Sequence, residues 1–184
     1  MSITSTIIKF AAPVPRIEDY DRFLFIGPHP DDIEVGAGAT AAKLAANGKQ
    51  VCFLICTDGR YGDEYAPEGV EGDALAELRK QEAITSANHL GIECIRFLGL
   101  SDGGFYTEEA LLTGIARVVG EFKPDVIFTV DPDVKSECHI DHLNTGRASK
   151  RIAYFAPFKK IMANYGADTA PVKAIAFYMT ASPN

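Results

Sequence analysis

The 184-residue chain contains no tryptophan, four histidines, four cysteines and no concentrated run of positive charge. Each scarcity excludes something. With 18 Lys and Arg against 25 Asp and Glu, the formal net charge is -7, and the basic residues are scattered, so a polyanion has nothing to grip. Nucleic acid is not an expected partner. No stretch approaches the roughly 20 apolar residues that span a bilayer, so no membrane association is expected either. Residues 1–15 are partly apolar, but Lys9, Pro13 and Pro15 interrupt them. Residues 1–20 therefore read as an N-terminal arm, and residues 21–184 as a single domain. Cys52, Cys56, Cys94 and Cys138 form no CxxC pair, and three of them lie in or beside apolar runs where a thiol behaves as a small hydrophobe. The expectation is four free thiols in a reducing compartment, the cytoplasm. Cys138 adjoins His139, yet on a helical turn its side chain would point away from the face shared by His139 and His142.

Short apolar runs alternate with helical patterns. Strands are expected at residues 22–27, 50–56, 93–98, 125–130 and 174–180. Helices are expected at 36–47, 73–90, 108–122 and beyond His142, with Gly48 and Gly91 as C-terminal stops. The runs are continuously apolar and not alternating, which argues for buried, mostly parallel strands in a Rossmann-like three-layer α/β/α sandwich. In such folds the ligand edge is the one outside the carboxyl ends of the strands. Residues 61–72, rich in Gly, Asp and Glu, read as a mobile loop near that edge.

Three of the four histidines fall in two clusters, Pro28-His29-Pro30-Asp31-Asp32 and His139-Ile140-Asp141-His142, each following an expected strand. His and Asp also suit turns and helix N-caps. The coincidence of two clusters at one sheet edge favours a metal centre, because zinc takes imidazole nitrogen and carboxylate oxygen from three protein ligands and keeps a position open. His139 and His142, three apart, share one face of a helical turn. Asp31 and Asp32 can take separate tasks, and Asp141 is placed to orient an imidazole.

These motifs, with Glu34, the Leu78–Ala83 segment LRKQEA, Asp102-Gly103 and the KPDVIF segment at residues 123–128, resemble the LmbE-like (PIG-L) zinc-dependent de-N-acetylases over residues 23–182. The resemblance implies a hydrolase that removes the acetyl group from an N-acetylated amino sugar or its conjugate, with one Zn2+ per chain. It implies His29, Asp32 and His142 as zinc ligands and Asp31 as general base. It implies His139 as the group that polarises the carbonyl or protonates the amine, with Asp141 as its hydrogen-bonded partner. That partnership should raise the His139 pKa above its ordinary 6.5. Arg79 and Lys173 would contact substrate. The sequence departs from the family at Thr57-Asp58-Gly59-Arg60, where many members carry Thr-x-Gly-Glu. Relatives also continue past a segment like residues 181–184 into a further strand and helix, which implies a C-terminal truncation and a pocket incomplete on that side.

Two other readings stand beside this one. A family member can bind metal without turning anything over. Alternatively, Asp31 and Asp32 can hold magnesium in a phosphate-handling Rossmann-like domain, although three imidazoles suit that hard cation poorly, and residues 36–40 lack the spacing of a dinucleotide fingerprint. The expected partner is a small molecule. The sequence is compatible with a homo-oligomer.

Overall fold

The computed structural model describes residues 16–180. Five strands form one sheet: β1 (Arg22–Gly27), β2 (Gln50–Thr57), β3 (Cys94–Leu100), β4 (Val126–Val130) and β5 (Ala174–Tyr178). Every pairing is parallel, and the order is β3-β2-β1-β4-β5. Between them run α1 (Asp32–Ala46), α2 (Gly72–His89), α3 (Glu108–Phe122), α4 (Ile140–Phe155) and the short α5 (Lys159–Asn164). The last of these has no counterpart in the sequence reading.

The continuous apolar strands are explained by helices on both faces. On one face Phe23, Phe25, Phe53 and Ile55 meet Ile33 and Ala41 of α1 and Ala83 and Ala87 of α2. The other face carries Leu24, Ile26, Leu54 and Cys56 against Leu111, Ile115 and Val119 of α3 and Ala148 and Ile152 of α4. Phe25 and Phe128 stack with centroids 4.5 Å apart. Each such fully buried side chain contributes roughly 1.5 to 3 kcal/mol. The three-layer α/β sandwich expected from the sequence is the observed architecture, with the sheet wholly parallel.

Strand order reverses between β1 and β4, and the crevice that opens there lies outside their carboxyl ends. Two helix starts border it, both earlier than expected. α1 begins at Asp32, not Gly36, because Ile33 is fully buried against the sheet and draws the first turn inward. Asp31 is its N-cap residue with φ of 145°, a conformation that costs a non-glycine residue of order 1–3 kcal/mol and that clusters at functional sites. α4 begins at Ile140, with His139 as N-cap, so that Asp141 and His142 fall in its first turn.

The expectation of four free thiols is corrected. Cys52 and Cys94 are register partners on β2 and β3 with Cα atoms 4.6 Å apart, and they are joined as a disulfide. Their spacing along the chain carries no CxxC signal because the contact is made across strands. The argument from unpaired thiols to a reducing compartment loses its ground. Among the described residues no helix is long and apolar enough to cross a membrane.

Candidate metal centre

His29 lies on the turn leaving β1, and the start of α1 folds back beneath it. Its backbone N–H donates to Asp32 Oδ2 at 2.9 Å, and its Nδ1 stands 3.1 Å from the same oxygen. From the other side of the crevice, His142 brings Nε2 to 3.5 Å from that oxygen. The remaining nitrogen of each ring meets a second carboxylate: His29 Nε2 is 3.1 Å from Asp141 Oδ2, and His142 Nδ1 is 2.9 Å from Glu137 Oε2. Three donor atoms thus converge, and carboxylates behind the imidazoles fix the rings. Ligands about 2.0 to 2.1 Å from a tetrahedral zinc stand about 3.4 Å from one another, close to the spacing found around Asp32 Oδ2. Carboxylate-backed imidazoles are the usual support of metal ligands. The donor set fits a zinc ion.

His29, His139 and His142 also offer ligand atoms that all lie within 4.8 Å of one another. His139 differs from the other two because its Nδ1 accepts the backbone N–H of Asp141 at 3.3 Å, capping α4. Its ring meets His29 edge-on, centroids 4.6 Å apart.

Asp141 is fully buried, and its partners correct an expectation. Its carboxylate holds His29, not His139, whose Nδ1 is 3.9 Å away. Gly103 and Gly104 donate their N–H groups to its two oxygens at 2.7 and 2.9 Å, and the Tyr106 hydroxyl bonds to it as well. Both glycines have positive φ, 75° and 79°, which is what lets two successive N–H groups face one carboxylate.

Burial alone would lower the His29 pKa, but hydrogen bonds to Asp141 and Asp32 prevail and push it up to about 9. His142 is raised in the same way: burial opposes, and Asp32 and Glu137 outweigh it. For Asp32, burial raises and the two imidazoles overcome it, holding the carboxyl well below the usual range; Asp141 comes down to about 2 by the same contest with His29 and Tyr106. His139 goes the other way. Its own burial and the charge on His29 lower it, against the pull of Asp141, so the expectation of a raised value is corrected.

Asp31 is more exposed, at the mouth, and Arg79 Nη2 donates to its Oδ2 at 2.6 Å and to Pro30 O at 2.8 Å. Behind this pair lies a cavity of about 140 Å3 bordered by Glu34, Glu82 and Ser86. Both Glu34 oxygens and Arg79 Nε are buried without a hydrogen-bond partner, although Nε stands 3.9 Å from Glu82 Oε2. Lys173 is not at the site. It precedes β5 and bonds Asp125 Oδ1 at 3.1 Å, at the amino ends of the strands, because the expected position before the last strand lies on the far edge of a parallel sheet. Cys138 is exposed, free and outside the metal-binding group.

The sequence reading missed Glu137, Tyr106 and Gly104, and named Asp102 only as part of a motif. Asp102 is buried, accepts Tyr61 N–H through Oδ2 at 3.3 Å and leaves Oδ1 without a partner. All four lie on loops, where no periodicity marks them; the run of a carboxylate followed by two glycines was the one usable signal.

The chain is similar to known proteins in sequence and in fold. The family profile "PIG-L: GlcNAc-PI de-N-acetylase" matches residues 24–153. The diacetylchitobiose deacetylase of Thermococcus kodakarensis is 34% identical over 170 residues, covering 90% of this chain and 62% of that protein. The 1D-myo-inositol 2-acetamido-2-deoxy-alpha-D-glucopyranoside deacetylase of Kineococcus radiotolerans is 32% identical over 174 residues, covering 79% and 48%. The chain therefore spans about half to three fifths of the length of these relatives. Among solved structures, N,N'-diacetylchitobiose deacetylase from Pyrococcus horikoshii superposes with a TM-score of 0.84 at 27% identity, covering 100% of this chain and 72% of that one.

Proposed function

The chain belongs to the PIG-L de-N-acetylase family, and from that premise we propose that it hydrolyses the acetamide of an N-acetylglucosamine unit or conjugate, with one zinc ion per chain held by His29, Asp32 and His142. The observation that carries the reading is the convergence of His29 Nδ1 and His142 Nε2 on Asp32 Oδ2, each ring backed by its own carboxylate. When bound, the metal would supply a Lewis acid for the amide carbonyl and acidify the attacking water.

The protein side chains divide the remaining work. Asp31 is the accessible carboxylate beside the ligands. Arg79 holds one of its oxygens and leaves the other to take a proton from water, which it then returns to the departing amine. The products are acetate and a free amino sugar. His139, whose Nδ1 caps α4, would hydrogen-bond the amide oxygen through its other nitrogen as negative charge develops there. Asp141 acts through His29, and Arg79 through Asp31. The magnesium reading is disfavoured by the two buttressed imidazole nitrogens, which suit a softer ion.

The test is zinc content of protein purified without added metal, measured together with acetate release from N-acetylglucosamine, N,N'-diacetylchitobiose and an inositol glycoside of N-acetylglucosamine. About one zinc per chain with acetate release from at least one substrate is expected. Bound zinc without acetate release from any of them would leave a metal-binding protein that is not this enzyme.

A further inference from the structure

A cavity of about 300 Å3 lies between the start of α3 and the middle of α4. Asn144, Arg147, Ala148 and Arg151 line it from α4, spaced three and four apart so that they share one stripe of the helix. The two arginines lie six and ten residues beyond Asp141, about 9 and 15 Å along the axis at 1.5 Å per residue. None of the proposed metal ligands borders this cavity. Leu111 and Ala148 give it an apolar, buried floor, while Arg147 stands exposed at the rim. The Tyr106 hydroxyl is already engaged, accepting from Asn144 Nδ2 at 3.4 Å and bonding Asp141, so the guanidinium groups are the ones a guest can address. Arg151 Nη1 pairs with Glu108 Oε1 at 3.0 Å, both side chains about half exposed or more, and among the described residues Arg147 forms no ion pair.

An apolar floor under a few fixed polar groups is the usual make-up of a small-molecule site, and the volume falls at the lower end of the range of about 300 to 1,000 Å3 for such sites. Charge narrows the guest. Two guanidinium groups against the single Glu108 carboxylate leave one positive charge uncompensated, in a chain whose net charge is -7. One charge suits a monoanion better than a phosphate dianion, and a guanidinium fork matches a carboxylate with two parallel hydrogen bonds. The exposed Glu108 pair is of the weak kind, so Arg151 can turn to a guest as well. We propose that this cavity binds a small organic carboxylate, its charged end paired with Arg147 and its apolar body resting on Leu111 and Ala148. The site is separate from the metal centre and stands whether or not the chain is a de-N-acetylase.

The experiment is an amide NMR titration of the full chain with benzoate, compared with benzamide, which keeps the ring and loses the charge, and with acetate, which keeps the charge and loses the ring. Benzoate should shift resonances of residues 144–151 saturably, and both comparison compounds should bind at least about tenfold more weakly. Arg147→Ala, a change at an exposed position that leaves the core untouched, should weaken benzoate by about tenfold or more, and Arg147→Lys by less, since it keeps the charge without the fork. Glu108→Gln should tighten benzoate about three- to tenfold, because it frees Arg151 and removes a like charge from the rim. Any of three results overturns the site: no saturable shift in residues 144–151, shifts confined to residues 29–32 and 139–142 at the metal centre, or an affinity unchanged in Arg147→Ala. Benzamide binding as tightly as benzoate, or weaker benzoate binding in Glu108→Gln, overturns the assignment of a carboxylate.

Discussion

The two ends of the parallel sheet carry the same kinds of side chain and use them differently. At the amino ends, Asp125 accepts the backbone N–H groups of Asp21 and Arg22 and the Lys173 ammonium, tying the starts of β1, β4 and β5 together. It is one carboxylate with three donors. At the carboxyl ends, Asp32, Asp141, Glu137, Asp31, Asp102 and Glu34 crowd around three imidazoles and one guanidinium, and Glu34 and Asp102 retain buried oxygens with no hydrogen-bond partner. Acceptors exceed donors there. A satisfied cluster stabilises the fold, whereas an excess of buried acceptors calls for a cation or a ligand.

Substitutions at the two ends should therefore separate stability from activity. His29→Ala or His142→Ala should abolish zinc binding and reduce turnover by at least about 10⁴-fold, with thermal unfolding still cooperative; normal zinc content in both would remove them from the ligand set. Asp31→Asn should keep its zinc and lose about 10² to 10⁴ in kcat, and near-native turnover would exclude it as the base. Glu137→Gln should weaken zinc affinity by about 10 to 100-fold, as loss of a carboxylate behind an imidazole does, in a competition with a chromogenic chelator. An affinity equal to the native one would make that contact incidental.

At the opposite edge the effects should be smaller and of another kind. Burial raises the Asp125 pKa, but hydrogen bonds from Lys173, Asp21 and Arg22 outweigh it, so the folded value lies below the unfolded one. Its contribution is complete above the unfolded value of about 3.9 and is lost as pH falls from there through the folded value. Asp125→Asn should cost about 1 kcal/mol at pH 7, a difference that shrinks in acid, with zinc content unaltered. Denaturant titrations at pH 7 and pH 3 measure this, and a difference growing toward acid contradicts the sign. Lys173→Ala should cost less still, below about 1 kcal/mol, because its side chain is more than half exposed. A rise in KM for that variant would restore the expected substrate contact.

Periodicity made the layers legible, since buried parallel strands must be apolar throughout and each of the first four is followed by a helix. The meeting of His29 with His142 was legible because strand polarity sends both clusters to one edge. The identities of the contacts were not. Asp141 reaches His29 instead of its neighbour His139 because the first turn of α4 aims it across the crevice, and Glu137 reaches His142 from a loop with no repeat to announce it. Lys173 shows the converse, for nearness to a strand says nothing about which end of the sheet a residue occupies. The modest reading of His and Asp as helix caps is also true of His139, so capping and chemistry share a residue there, whereas Asp31 occupies the N-cap position of α1 without a side-chain cap bond.

That sharing has a consequence for the proton on His139. A neutral imidazole has one lone pair and one N–H, and the cap of α4 takes the lone pair of Nδ1. The proton must then reside on Nε2, so the start of the helix selects the tautomer. While α4 remains capped in this way, the free end of the ring is a donor and has no lone pair to give a metal. Asn at position 139 would keep a cap acceptor and lose the Nε2 proton, so a variant of intact helix and reduced turnover would separate what histidine does for the fold from what it does for the reaction.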